Sequence, residues 1–245
     1  MKQLKIFVNL TRLNRPIGYL LLFWPCSWGL AYAYSFDQNI ENFLSYIILF
    51  FLGAVLMRSA GCIVNDIVDI KLDKKVKRTK SRPLAANLIS VKKSLIYVVG
   101  LCGLAFCILI QFNYLTIILG LSSMFLAFSY PFMKRITYWP QLFLGLTFNW
   151  GIIMAWTSIS NILTIDIFIV YFAAIFWTLG YDTIYGVQDI VDDEIIGVKS
   201  TSIKFKFMLK KFVLVCYSIS MLTFFIFFIN NMKSLYFLIS FFAFS

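Results

Sequence analysis

Long apolar stretches separated by short polar ones dominate the chain. Eight runs stand out, at residues 16–34, 43–64, 94–110, 114–130, 141–158, 165–185, 212–229 and 235–244. The hydrocarbon core of a bilayer takes roughly 20 residues of helix, and inside lipid a helix pairs all of its own backbone groups. The first seven runs therefore predict transmembrane helices. The eighth has only about ten residues, too few to cross, and predicts a half-inserted helix or a chain that lacks a C-terminal piece. The pattern as a whole predicts an all-α fold: a polytopic transmembrane bundle of about eight helices, forming one domain over residues 1–245. The opening stretch, MKQLKIFVNLTRLNRP, carries bases but no small-residue cleavage site. It predicts an amphipathic approach to the first span, and neither a signal peptide nor a transit peptide.

Composition sharpens this picture. Apolar residues make up 61% of the 245 and charged ones 13%, against about 45–50% and 25% in soluble domains. Histidine is absent, which excludes HExxH zinc sites, histidine-ligated haem and a Ser-His-Asp triad. The five cysteines (Cys26, Cys62, Cys102, Cys107, Cys216) lie in apolar runs without a CxxC pair, so they read as small buried side chains rather than as disulfides or metal ligands.

Charge falls unevenly on the two sides. One side carries Lys2, Lys5, Arg12, Arg15, the bases between Lys71 and Lys93, Lys134, Arg135, Lys199, Lys204, Lys206, Lys210 and Lys211; the other carries Asp37, Glu41, Asp166 and Lys233. The positive-inside rule makes the basic side cytoplasmic. The net charge of +11 is thus concentrated on one face. It sets topology and attracts anionic headgroups, or part of it binds an anionic substrate. The basic loops are short and tied to membrane helices, which argues against nucleic acid. Only Arg58 lies within a span.

Eight of the eleven acidic residues fall in two short segments, both at cytoplasmic ends of spans. The first holds Asn65, Asp66, Asp69 and Asp73; the second holds Asp182, Asp189, Asp192, Asp193 and Glu194. If helix continues through both, Asn65, Asp69 and Asp73 share one face bordered by Asp66. Asp182, Asp189 and Asp193 share another, flanked by Asp192. Carboxylates stacked in this way repel one another and call for cations. Hard oxygen donors without imidazole or thiolate suit Mg²⁺, which takes one or two carboxylates together with phosphate oxygens and water. Bases adjoin each cluster, with Lys77, Arg78 and Arg82 after the first and Lys199 after the second. Acid followed by base at a membrane surface is what a Mg²⁺–diphosphate complex requires. No GxxxxGK[ST] loop is present, so a P-loop nucleotide site is not indicated.

These residues, taken in order, resemble the UbiA family of intramembrane prenyltransferases, and within it the 4-hydroxybenzoate branch. The resemblance runs from Arg12 to about Phe205. Its anchors are Arg15-Pro16-Ile17-Gly18 with Trp24-Pro25, then Met57-Arg58-Ser59-Ala60-Gly61-Cys62 leading into Asn65-Asp66, Asp69 and Asp73. Val76-Lys77-Arg78-Thr79, Arg82-Pro83-Leu84 and Tyr130-Pro131-Phe132-Met133-Lys134-Arg135 follow. The last are Tyr181-Asp182-Thr183-Ile184-Tyr185, Asp189 with Asp192-Asp193, and Gly197 with Lys199-Ser200-Thr201. The resemblance implies nine helices with both acidic motifs facing a central cavity. Asn65, Asp69, Asp189 and Asp193 then match metal-binding positions, with Asp66, Asp73 and Asp192 alongside. Arg135 and Asp189 match positions tied to activity. After Lys210 the match fades and about one and a half of the nine helices are not found.

The implied reaction moves a polyprenyl group from its diphosphate to the ring carbon ortho to the phenol of 4-hydroxybenzoate, a step of ubiquinone synthesis. The cofactor is Mg²⁺ and the setting is a bacterial inner membrane with the site facing the cytoplasm. Lys77, Arg78, Arg82, Lys134, Arg135 and Lys199 are candidates for the phosphate oxygens, with Asp182 beside the substrate. Arg58 and Arg135 are candidates for the acceptor's carboxylate. Asp69 and Asp189 are the central acids, and Asp189 is open to either metal binding or the phenol proton. CDP-alcohol phosphotransferases fit poorly, because Asp66 is followed by Ile67-Val68 where their motif has glycine. A cation channel would want its carboxylates nearer the midplane and away from bases.

Overall fold

The structure is a computed structural model that describes residues 2–231. The run at 235–244 lies outside the described residues. A ten-residue amphipathic helix, α1 (Lys2–Thr11), leads into α2 (Ile17–Asp37), α3 (Ile40–Asp73), α4 (Val91–Leu109), α5 (Tyr114–Ile136), α6 (Pro140–Ser160) and α7 (Ile165–Tyr185). A 3₁₀ turn at Gly186–Asp189 and two short helices, α8 (Ile190–Ile196) and α9 (Thr201–Lys204), precede α10 (Leu209–Asn230). Each of the seven apolar runs among the described residues is one long helix, and no strand forms among those residues. Among the described residues six spans are long and apolar enough to cross a membrane, the sixth-run span being α7 continued through α8. The expected first span, α2, has the length (21 residues, about 31 Å) but is less apolar, because tyrosine, tryptophan and glycine replace aliphatic residues. Those aromatic rings go to protein rather than lipid.

The core explains why. Tyr32 of α2 stacks on Trp156 of α6 with centroids 4.7 Å apart, and meets Phe227 of α10 edge-on. Trp28 meets Phe224 in the same way. Small residues of α7, Ala173 and Ala174, complete this cluster and let the helices approach closely. α2 and α6 touch most intimately at Gly29, where a Cβ would strike the Ile152 carbonyl oxygen. Gly29→Val is therefore expected to prise these helices apart. At about 1–3 kcal/mol for overpacking, the melting temperature in detergent should fall by roughly 5 °C. An unchanged melting temperature would show that the contact does not limit stability.

α4 and α5 differ from the rest. α4 packs on α3 and α5 packs on α6, but α4 and α5 scarcely touch one another. Helices α3, α2 and α6 thus form the back wall of a chamber, with α4 and α5 as its sides. At one end Asn113 caps α5 and donates to the carbonyls of Thr157 and Ser158 at 2.6 and 3.1 Å. At the other, basic end, the 74–90 connection folds back over α3, with Leu84 buried against Leu10, Ile63 and Leu101. Thr79 donates to the Asp73 carbonyl, 3.1 Å away.

Candidate active site

α3 runs unbroken for 34 residues, about 51 Å, so its helix does continue through the first acidic segment. Asp66, Asp69 and Asp73 are all buried. A buried carboxylate needs a cation or a full set of donors, and the cations come from three distant parts of the chain. Arg12, just after α1, reaches Asp66 at 2.5 Å. Arg82 bridges Asp66 and Asp73 at 3.2 and 2.9 Å. Asp69 is held by Lys134 and Arg135 from the end of α5, the latter at 2.9 Å, and accepts from Asn65 Nδ2 at 3.2 Å.

The second segment departs from the continuous helix expected of it. α7 stops at Tyr185, the chain tightens into the 3₁₀ turn at Gly186–Asp189, and α8 restarts at Ile190. Asp182, Asp189 and Asp193 nevertheless line the same cavity. A buried hydroxyl and amide network fixes this break. Ser202 donates to the Thr183 carbonyl at 2.7 Å, the Thr183 and Thr201 hydroxyls lie 2.6 Å apart, and the Thr201 N–H donates to Gln141 Oε1 at 3.0 Å. The Lys199 N–H donates to the Lys134 carbonyl at 2.8 Å, so the tail of the second segment grips the helix end that supplies Lys134 and Arg135. Arg78 pairs with Asp189 at 2.9 Å, joining the two basic connections.

Despite the break, the two acidic segments meet. Asn65, Asp69 and Asp73 of α3 line one cavity of 240 Å³ together with Asp182, Asp189, Asp192 and Asp193. Arg78, Arg82, Lys134 and Lys199 complete its walls. Below it lies a mostly apolar chamber of 340 Å³ between α2, α3, α4, α5 and α6, and Asn65 and Tyr130 border both. Arg58 lines the apolar chamber, its guanidinium 5.3 Å from the centre of the Phe148 ring and its Nε without a hydrogen-bond partner.

Three expected site residues fall elsewhere. Asp66 is turned to Arg12 and Arg82 and is absent from the lining of the polar cavity. Lys77 is exposed and outside that lining, its neighbour Arg78 having the inward position. Arg135 also lies outside it, spent on Asp69 and on the Val68 carbonyl at 2.8 Å. Sequence reasoning missed Arg12, Gln141 and Tyr130. A buried acid such as Asp66 requires a cation, but nothing local says that it comes from 54 residues upstream.

Among the described residues no three acidic or cysteine side chains are placed to hold a metal ion unaided. The polar cavity presents oxygen donors on opposite walls with cations between them. That arrangement can bind a multiply charged anion directly and a hard cation jointly with it.

Comparison with known proteins follows the same lines. A family model described as the UbiA prenyltransferase family matches residues 22–245. Over 202 residues the chain is 46% identical to the mitochondrial 4-hydroxybenzoate polyprenyltransferase of Caenorhabditis elegans, covering 82% of this chain and 56% of that protein. It is also 46% identical over 201 residues to the 4-hydroxybenzoate octaprenyltransferase of Vibrio atlanticus, covering 82% and 69%. The chain thus spans little more than half the length of the mitochondrial relative. In fold it is similar to a UbiA homolog from Archaeoglobus fulgidus bound to DMAPP and Mg²⁺, with a TM-score of 0.71 at 16% identity over 97% of this chain and 85% of that one.

Proposed function

The chain belongs to the UbiA prenyltransferase family, and from that premise we propose that it prenylates 4-hydroxybenzoate at the carbon ortho to the hydroxyl, using a polyprenyl diphosphate, in ubiquinone biosynthesis. The observation that carries this reading is the pair of cavities sharing Asn65 and Tyr130, one acidic and basic, the other apolar. A prenyl diphosphate has this same division between headgroup and tail.

Asn65, Asp69, Asp189 and Asp193 would hold Mg²⁺ jointly with the diphosphate. The fit is chemical: every donor is oxygen, and Mg²⁺ needs only one or two carboxylates when phosphate oxygens and water fill its other positions. When bound, the ion neutralises charge on the departing diphosphate. Arg78, Arg82, Lys134 and Lys199 take the remaining phosphate oxygens by charge-assisted bonds. With the leaving group so held, the allylic C–O bond breaks and a carbocation develops in the mostly apolar chamber, away from bulk water. The ring carbon bonds to the allylic carbon, and the proton on that ring carbon then passes to the released diphosphate or to water, which restores aromaticity. Arg58, in the chamber and close enough to Asp182 to interact with it, holds the acceptor's carboxylate. Arg135 is already committed to Asp69, which favours Arg58 for this role.

The chain is a multi-pass membrane protein. We assign it to a bacterial inner membrane with the basic, acid-lined end toward the cytoplasm, as the concentration of bases there supports. The test is transfer of label from geranyl diphosphate to 4-hydroxybenzoate by the purified protein in liposomes. Product that requires Mg²⁺ and disappears with EDTA is expected. No product under any divalent metal, with metal flux across the liposome instead, would replace this reading with that of a cation channel.

A further inference from the structure

Gln141 is the second residue of α6 and is only 6% exposed, yet it lines the polar cavity beside Gly186, Lys199 and Ser200. A carboxamide buried to this degree needs partners at both ends. One end has its partner. The Thr201 N–H, an orphan donor at the start of α9, donates to the amide oxygen Oε1 at 3.0 Å. A backbone N–H only donates, so the atom that it meets has to be the oxygen, and the orientation of the amide is fixed. The other end, Nε2, carries two protons and donates to none of the described residues. Gly186 keeps space beside it, since a Cβ there would lie 3.5 Å from Nε2 and 2.5 Å from Ser202 Oγ.

The cations of the same cavity differ from Gln141 in already having partners. Arg78 is paired with Asp189, Arg82 with Asp73 and Lys134 with Asp69, and Lys199 donates to the Ile136 carbonyl at 3.2 Å. A multiply charged anion entering the cavity has to share these groups with their acids, whereas the two Nε2 protons of Gln141 are uncommitted. We infer that Gln141 is a binding residue for the diphosphate, donating from Nε2 to a phosphate oxygen while Thr201 holds Oε1. The inference rests on the prenyltransferase reading and adds a donor to its headgroup site. A hydrogen bond to a charged acceptor is stronger than one between neutral groups. The amide is itself neutral, so it supplies that bond without changing the charge that the neighbouring acids present to Mg²⁺.

Gln141→Glu separates the two ends of the side chain. It can still accept from the Thr201 N–H, but it puts a second acceptor where the donors were. Binding of inorganic diphosphate with Mg²⁺ to the purified protein in nanodiscs, followed by calorimetry, should weaken at least about tenfold, the scale of one lost hydrogen bond to a charged group. The melting temperature should stay near the parent's. Gln141→Leu loses both ends and should bind as weakly while melting lower. A side chain that only held α9 in place would leave Gln141→Glu binding as the parent does, and that result would overturn the inference. The parent protein gives a reading that needs no variant. With glutamine carrying ¹⁵N in its side chain, solid-state NMR of the diphosphate-loaded protein should show a ¹⁵N–³¹P dipolar contact. Gln3, Gln38, Gln111 and Gln188 lie outside the cavity lining, so that contact belongs to Gln141, and its absence would overturn the assignment. A parent that binds diphosphate with this contact but moves no prenyl group would overturn the prenyltransferase reading and leave the donor standing, and a parent that binds no diphosphate would overturn both.

Discussion

Asp69→Ala should lower prenyl transfer by roughly 10³-fold or more, because in the proposed reaction the lost group faces the charge that develops on the leaving diphosphate. Asp69 is the acid of α3 that lines the polar cavity while touching both Lys134 and Arg135. It sets the placement of two cations and supplies an oxygen of its own. Removing it leaves those cations without an acidic partner, but both are partly exposed, at 26% and 37% of their side-chain surface. Water can therefore cover them, and the protein should still insert and melt near the parent temperature. Asp69→Asn keeps the shape and removes the charge, so it should be nearly as inactive. Asp189→Ala, on the facing wall, should fail in the same way. Substantial turnover in any of these variants, measured with labelled geranyl diphosphate at saturating Mg²⁺, would remove the acid pair from the reaction. Loss of activity accompanied by loss of insertion or a collapsed melting temperature would point to folding instead.

How far this site could be read from the sequence differs from residue to residue. The run at 165–185 matches α7 at both ends, because an apolar stretch in lipid has only one way to satisfy its backbone. The run at 43–64 stops nine residues short of the end of α3. Hydropathy ends where the acids begin, but the helix continues because Arg12, Arg82 and Lys134 neutralise those acids from positions 54, 16 and 65 residues away. Such pairings belong to tertiary structure and leave no local period. The break at Gly186–Asp189 was hidden for the same reason, since the hydroxyl network that holds it reaches back to Gln141. Adjacent bases in one loop were also indistinguishable. Arg78 turns into the cavity and Lys77 out to solvent, and either order fits the same composition. Among the aromatics, Tyr32 is a buried core residue and Phe125 faces outward, although both sit in apolar runs of similar character.

The acceptor side yields an equally large prediction. Arg58 is an arginine within a span, which is costly on insertion scales by roughly 2.5–3.5 kcal/mol and so needs a return. Its Nε makes no hydrogen bond, and the guanidinium lies over Phe148 in a chamber lined mostly by apolar groups. An aromatic acid with its ring in the chamber and its carboxylate on Arg58 would satisfy both ends at once. Truncating one member of such a buried, hydrogen-bonded charge pair costs about 2–5 kcal/mol, so Arg58→Met should raise KM for 4-hydroxybenzoate at least about 30-fold. The affinity for prenyl diphosphate should change little, because the residues proposed to hold the diphosphate line the other cavity. Arg58→Lys keeps the charge but loses the planar fork, and should recover only part of the loss. The sharpest readout is discrimination. The parent should strongly prefer 4-hydroxybenzoate to its neutral amide, and Arg58→Met should treat the two nearly alike. If the variant keeps the parent's preference, the carboxylate is held elsewhere and Arg58 serves only to pair across α3, α6 and α7.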